Sequence, residues 1–87
     1  MNLFDCKILS PEKVVFQGKI WQLKAQGVDG AFAIRNKHCD YLSKINEGKI
    51  EVAENENKRI SFLCKGGLIS FKNNSCLIIL NSSPEIS

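Results

Sequence analysis

The sequence predicts an all-β protein: a small β-sandwich of eight to ten short antiparallel strands. Three observations carry this prediction. Apolar residues recur with period two rather than 3.6, the signature of strands with one buried face. Turn-forming residues punctuate the pattern every 8 to 15 residues. No segment of ten or more residues carries an amphipathic helical pattern.

The elements follow in chain order. Phe4, Cys6 and Ile8 alternate with Asp5 and Lys7, which gives a first strand. "SPEK" at 10–13 is a turn, because Pro11 has the fixed φ that a turn needs. "VVFQ" and "KIWQLKA" read as strands separated at Gly18. Gly27 and Gly30 bracket a turn, followed by the short alternation of Phe32 and Ile34. "KHCDYLSKI" reads as a loop with at most one helical turn. "INEGK" turns at Gly48 into a strand in which Ile50 and Val52 alternate with Lys49 and Glu51. "ENENK" is a polar tip. Beyond it Ile60, Phe62 and Cys64 alternate with Arg59, Ser61 and Lys65. Gly66-Gly67 marks a bend or a close backbone approach. "KNNS" at 72–75 is a hairpin tip, since Asn tolerates left-handed geometry. "CLIIL" is read as a strand buried on both sides. Residues 1–82 form the sandwich domain, and 83–87 are expected to be a frayed polar tail.

Size and composition narrow the function classes. A chain of 87 residues has a thin core, so a permanent partner is one source of added stability. Net charge is +3, too mild to imply nucleic acid without a basic stripe. The apolar runs are far shorter than the roughly 20 residues of a membrane span. The N-terminus lacks a basic segment followed by a long apolar run, so no secretory signal is expected and the chain should stay on the side where it is made. The four cysteines form no C-x-x-C pair and are expected as reduced thiols, with Cys6, Cys64 and Cys76 packed as small core residues. No metal site and no cofactor is expected.

Candidate chemistry is sparse. The glycine pair at 27 and 30 precedes no helix, and no Gly-Lys-Ser/Thr follows it, so it is a turn rather than a phosphate cradle. His38 and Cys39 are the one thiol–imidazole neighbourhood, but adjacent residues on an extended strand point to opposite faces. The carboxylates sit in turns or on solvent faces, with no paired site. Trp21 with its neighbouring lysines in "KIWQLKA" hints at an oligonucleotide-binding barrel, in which bases stack on exposed aromatics. The residues alone therefore give a soluble β-domain with one elaborate loop, beside two further readings: a small nucleic-acid-binding barrel, and a thiol enzyme on Cys39 and His38.

The order of turns and strands resembles the N-terminal β-sandwich domain of the ε subunit of F-type ATP synthases (the δ subunit in mitochondrial naming). "KILSPEKVVFQGKI" matches the family's strand, Thr/Ser-Pro-Glu turn, Val/Phe strand and Gly. "AQGVDGAFAIRNKHCDYLSKI" matches its Pro-Gly-x-x-Gly-x-Phe-Gly-Ile-Leu-Pro-Gly-His-Ala-Pro-Leu-Leu stretch. "NEGKIEV" and "CKGGLISFKNNSCLIIL" match the later turn, the Gly-Gly strand and the final strand, so that residues 3 to 80 are covered. The chain departs at Gln26 and Ala33, at Arg35-Asn36-Lys37 and at Cys39-Asp40-Tyr41, and Ala31 stands where an acidic residue is frequent.

The resemblance implies a non-catalytic central-stalk subunit that binds γ and the c-ring in a complex with α and β subunits. It would touch the membrane only through the ring, on the cytoplasmic or matrix-equivalent face, and would bind no nucleic acid. The loop Val28, Asp29, Gly30, Ala31 and Phe32 would face the c-ring. Ser10, His38, Tyr41, Leu42 and Ser43 would meet γ or the ring. Family members commonly continue into a C-terminal two-helix hairpin; a chain ending at Ser87 would be expected to lack its inhibitory role.

Overall fold

A computed structural model describes residues 2–28 and 30–86. The described residues form ten strands and no helix. In chain order these are β1 (Phe4–Leu9), β2 (Val14–Ile20), β3 (Gln22–Gly27), β4 (Gly30–Arg35) and β5 (Tyr41–Ile45), then β6 (Gly48–Ala53), β7 (Arg59–Cys64), β8 (Gly67–Lys72), β9 (Ser75–Leu80) and β10 (Glu85–Ile86). One half runs β10-β7-β6-β3, with β4 on the far edge of β3; the other runs β5-β8-β9-β1-β2. They join where Gly27 at the end of β3 pairs with Ile45 of β5. β3 thus pairs with β6 through Gln22, Leu23 and Lys24, and its end passes to the second half. That handover folds one continuous sheet into two packed layers.

The core is the inner face of both layers. Phe4, Cys6 and Ile8 of β1 meet Ile69, Phe71, Cys76 and Ile78 of β8 and β9, together with Leu23, Ile34, Ile50, Val52 and Phe62 from the other layer. The period-two reading holds in β1 and β6 and, in β7, at Phe62 and Cys64, whereas Ile60 and Ser61 are both half-buried. The β8–β9 hairpin turns on Asn73 and Asn74, both at positive φ (53° and 57°), the geometry of a two-residue type I′ turn. Gly67 is the close approach that the double glycine suggested: a Cβ there would overlap the Ile79 carbonyl oxygen and sit 2.9 Å from the Leu80 Cα. The Ser10 amide donates to the Lys13 carbonyl across the Pro11 turn at 2.9 Å.

Five expectations change. β1 and β9 pair in parallel, Cys6 opposite Cys76, whereas the other strand pairs are antiparallel. A parallel pair needs a long crossover, and here it is the whole chain between Leu9 and Ser75. Gly18 does not separate two strands; it lies inside β2, and the break falls at Trp21. "KHCDYLSKI" holds no helical turn: its second half is β5, paired along β8 from Tyr41 to Ile45. "CLIIL" is buried on one face only, because β9 belongs to a layer whose far side none of the other described residues covers. The segment 83–86, expected as a tail without contacts, makes them: the Ser83 hydroxyl donates to Glu12 at 2.6 Å, and β10 pairs Glu85 with Leu63 and Ile86 with Phe62. Each gives this polar segment a partner that its composition does not announce.

Candidate functional site: two ends and one bare face

Val28 and Gly30 belong to the tip of the β3–β4 hairpin, closed by the Gly27–Gly30 pair. Gly30 holds φ +115°, which a side-chain-bearing residue rarely adopts. Val28, Gly30 and Ala31 are exposed. Asp29 lies outside the described residues. Phe32 is half-buried and turns back on the hairpin, its ring 3.1 Å from where a Cβ of Gly27 would stand. Asn46 braces the base of this hairpin, its amide donating to the Gln26 carbonyl at 2.8 Å and its side chain to the Gly27 carbonyl at 3.1 Å. The result is a short, supported prong.

Of the second group, Ser10 and His38 stand at opposite ends of the β5-β8-β9-β1-β2 layer. Ser10 follows Leu9, level with the Ile45–Gly67 end that meets Gly27. His38 is half-buried at the other end, edge-on to Tyr41 at 6.0 Å and to Phe71 at 5.8 Å. Tyr41 packs on Phe32 at 5.1 Å, so these rings close the mouth between β4 and β5. Ser43 faces inward beside Ile45 and is half-buried, its hydroxyl donating to the Lys44 carbonyl at 3.0 Å. Leu42 alone of the β5 residues named points fully outward, 77 % exposed.

The loop carrying His38 is pinned by a residue far away in the chain. Asn74 accepts from the Lys37 amide and donates to the Asn36 side chain, both at 2.8 Å. Lys37 takes φ 63°, and the turn closes with the His38 amide donating to the Arg35 carbonyl. This turn brings His38 and Cys39 closer than an extended chain would, Nδ1 to Sγ at 3.9 Å. Nδ1 is also 2.7 Å from the Cys39 carbonyl oxygen, a contact that requires the proton on Nδ1. The thiol, at the longer distance, therefore competes with this carbonyl oxygen for the same ring nitrogen. Trp21 carries the Arg35 guanidinium over its ring at 5.0 Å, while Arg35 Nε donates to the buried Gln22 at 3.1 Å. That ring face is occupied rather than offered to a base.

Sequence reasoning missed an apolar surface row. On the outer face of the second layer, Leu68, Ile79, Leu9 and Val14 stand opposite one another across four adjacent strands. Leu68 and Ile79 are each 48 % exposed and Val14 49 %. Leu77 lies two positions from Ile79 along β9; on β5 Lys44 stands beside Leu68, and Leu42 lies two positions further, with Ser70 between it and Leu77. Apolar side chains left uncovered side by side in this way form a candidate interaction surface. The available signal was "CLIIL" itself: five apolar residues in an outer strand leave every second one uncovered.

Comparison with known proteins identifies the family. Residues 3–84 match the family described as ATP synthase, Delta/Epsilon chain, beta-sandwich domain. The ATP synthase epsilon chain of Chlorobium limicola is 28 % identical over 76 residues, spanning 87 % of this chain and 86 % of that one. The ATP synthase epsilon chain of Endomicrobium trichonymphae is 29 % identical over 90 residues; the match takes in 100 % of this chain but 64 % of the longer relative. In a Euglena gracilis mitochondrial ATP synthase F1/c-ring structure, one chain superposes with a TM-score of 0.87 at 13 % identity, covering 94 % of this chain and 53 % of that one. At that identity the likeness is one of fold. The match over nearly its whole length makes this chain a member of the ATP synthase delta/epsilon family, folded as that family's β-sandwich domain.

Proposed function

We propose that the chain is the central-stalk ε-type subunit of an F-type ATP synthase, docking on γ and on the c-ring and so coupling proton flow to ATP synthesis. It performs no chemistry itself. The observation that carries this reading is the bare apolar row Leu68–Ile79–Leu9–Val14 with Leu42 on the same layer. That face is the γ-docking surface, with Ser10 at one end and the His38 loop at the other. Tyr41 and Ser43 contribute by holding the edge of the face rather than by reaching outward. The prong Val28–Phe32, including Asp29, meets the polar loops of the c-ring. Its bracing by Asn46 supports this, because a part that transmits torque must not bend.

A standard interface takes about 800 Å² from each partner. That is about a seventh of this chain's 5316 Å² surface, so one sheet face is enough. The complex would sit on the cytoplasmic or matrix-equivalent side of the energy-transducing membrane, reached through the ring.

The test is binding of the chain to purified γ, with Leu68→Glu and Ile79→Glu as variants. Both positions are exposed, so the fold should tolerate the change. A carboxylate buried unpaired in the interface should weaken binding at least about tenfold, while the melting temperature stays close to that of the parent. Unchanged γ affinity in both folded variants would remove this face from the docking surface. Failure of the parent chain to bind γ at all would remove the stalk assignment.

A further inference from the structure

Two of the core cysteines are placed as a pair. Cys6 of β1 and Cys76 of β9 are direct partners across the parallel ladder. Both side chains enter the core, with 2 % and 1 % exposure. Adjacent strands lie about 4.7–4.9 Å apart, within the roughly 4.4–6.8 Å Cα separation that a disulfide spans. The other two thiols are elsewhere: Cys64 in the opposite layer has its Sγ 4.0 Å from the Asn46 carbonyl oxygen, and Cys39 is exposed beside His38. The strands beside the pair are Gly18 of β2, opposite Cys6, and Phe71 of β8, opposite Cys76.

We propose that Cys6 and Cys76 are a latent disulfide site, closed by exchange with a small-molecule disulfide such as oxidised glutathione while the chain folds. The Cys6 thiolate attacks one glutathione sulfur, forming a mixed disulfide and releasing one glutathione thiolate. The Cys76 thiolate then attacks the Cys6 sulfur, forming the Cys6–Cys76 bond and releasing the second glutathione. The two protein thiols are oxidised, one glutathione disulfide is reduced to two glutathione thiols, and the two protein protons go to the departing thiolates. The reaction belongs to folding rather than to the finished fold. Once folded, contact with the Cys76 thiol and burial hold the Cys6 thiol far above its ordinary pKa, so little nucleophilic thiolate is present.

The bond would staple the only parallel strand pair among the described residues and join positions 70 apart in the sequence (76 minus 6). Long loops gain most from such closure. The site is independent of the docking face, which lies on the other side of the sheet.

The test uses the full chain with Cys39→Ser, which removes the exposed thiol from intermolecular exchange. It is refolded in a glutathione redox buffer, alkylated and mapped without reduction. The expected result is a Cys6–Cys76 linked peptide pair lacking two hydrogens. A rise in melting temperature of about 10 °C should accompany it, reversed by dithiothreitol and absent in Cys6→Ala. Reduced folded protein in the same buffer should oxidise much more slowly than refolding chains. Cys64 linked as often as Cys76, glutathione persisting as a mixed disulfide, or a Cys6–Cys76 bond that lowers the melting temperature would each overturn the proposal.

Discussion

Glu12 shows how a single exposed side chain can fasten the end of a chain. Its carboxylate accepts from the Ser83 hydroxyl at 2.6 Å, and that bond, ahead of the contributions from Ser10 and Lys13, holds the carboxyl below its ordinary value of 4.5. The folded pKa is depressed, so the tie's contribution is complete above the unfolded value. It is lost as pH falls through the lower folded one. An NMR titration of the Glu12 carboxyl carbon should give a midpoint below 4.5 that moves upward in Ser83→Ala. A midpoint that this substitution leaves unmoved would mean that the hydroxyl does not hold Glu12. Neither partner was legible as a pair from the sequence, because 71 positions separate them. The Asn74 clamp on Asn36 and Lys37 is hidden for the same reason. What was legible at Asn73 and Asn74 was local: side chains that tolerate positive φ at a hairpin tip.

At the scale of the element, β9 carries two faces with opposite duties. Cys76, Ile78 and Leu80 fill the core, while Leu77 and Ile79 stand on the bare side. Ile78→Ala should cost about 2–5 kcal/mol, because it leaves a cavity among close-packed neighbours. Ile79→Ala should change stability by no more than about 0.5 kcal/mol. Thermal melts of the two variants check this directly, and equal losses would show that the outer face is also packed. The sequence reading of "CLIIL" as doubly buried failed here for a physical reason. Apolar composition records that a residue is to be covered, without recording whether its own chain or a partner covers it. The alternations in β1 and β6 were read correctly because polar residues mark their solvent side, a marking that β7 lacks at the exposed Leu63.

For the whole molecule, the pairing that spans the most chain is that of β1 with β9, the first strand with the last long one. Loop closure over such a separation must precede the contacts that reward it. Refolding should therefore fall in the millisecond-to-second range typical of all-β domains. Trp21, the single tryptophan, gives the signal for stopped-flow fluorescence. A sub-millisecond phase accounting for the full amplitude would contradict this expectation.

The sequence by itself determined the all-β class, most strand positions, the turn chemistry and the family, because each rests on local pattern or on local order along the chain. Period two sets which side chains share a face, and Gly, Pro and Asn set where the chain can reverse. Tertiary structure alone decided the parallel β1–β9 pair, the handover from β3 to β5 at Gly27, the pairing of β10 and the outward face of Leu68, Ile79 and Leu42. These depend on which strands become neighbours. Neighbours distant in the chain are chosen by burying the most apolar surface across both layers at once, a property of the assembled sheet and not of any one segment.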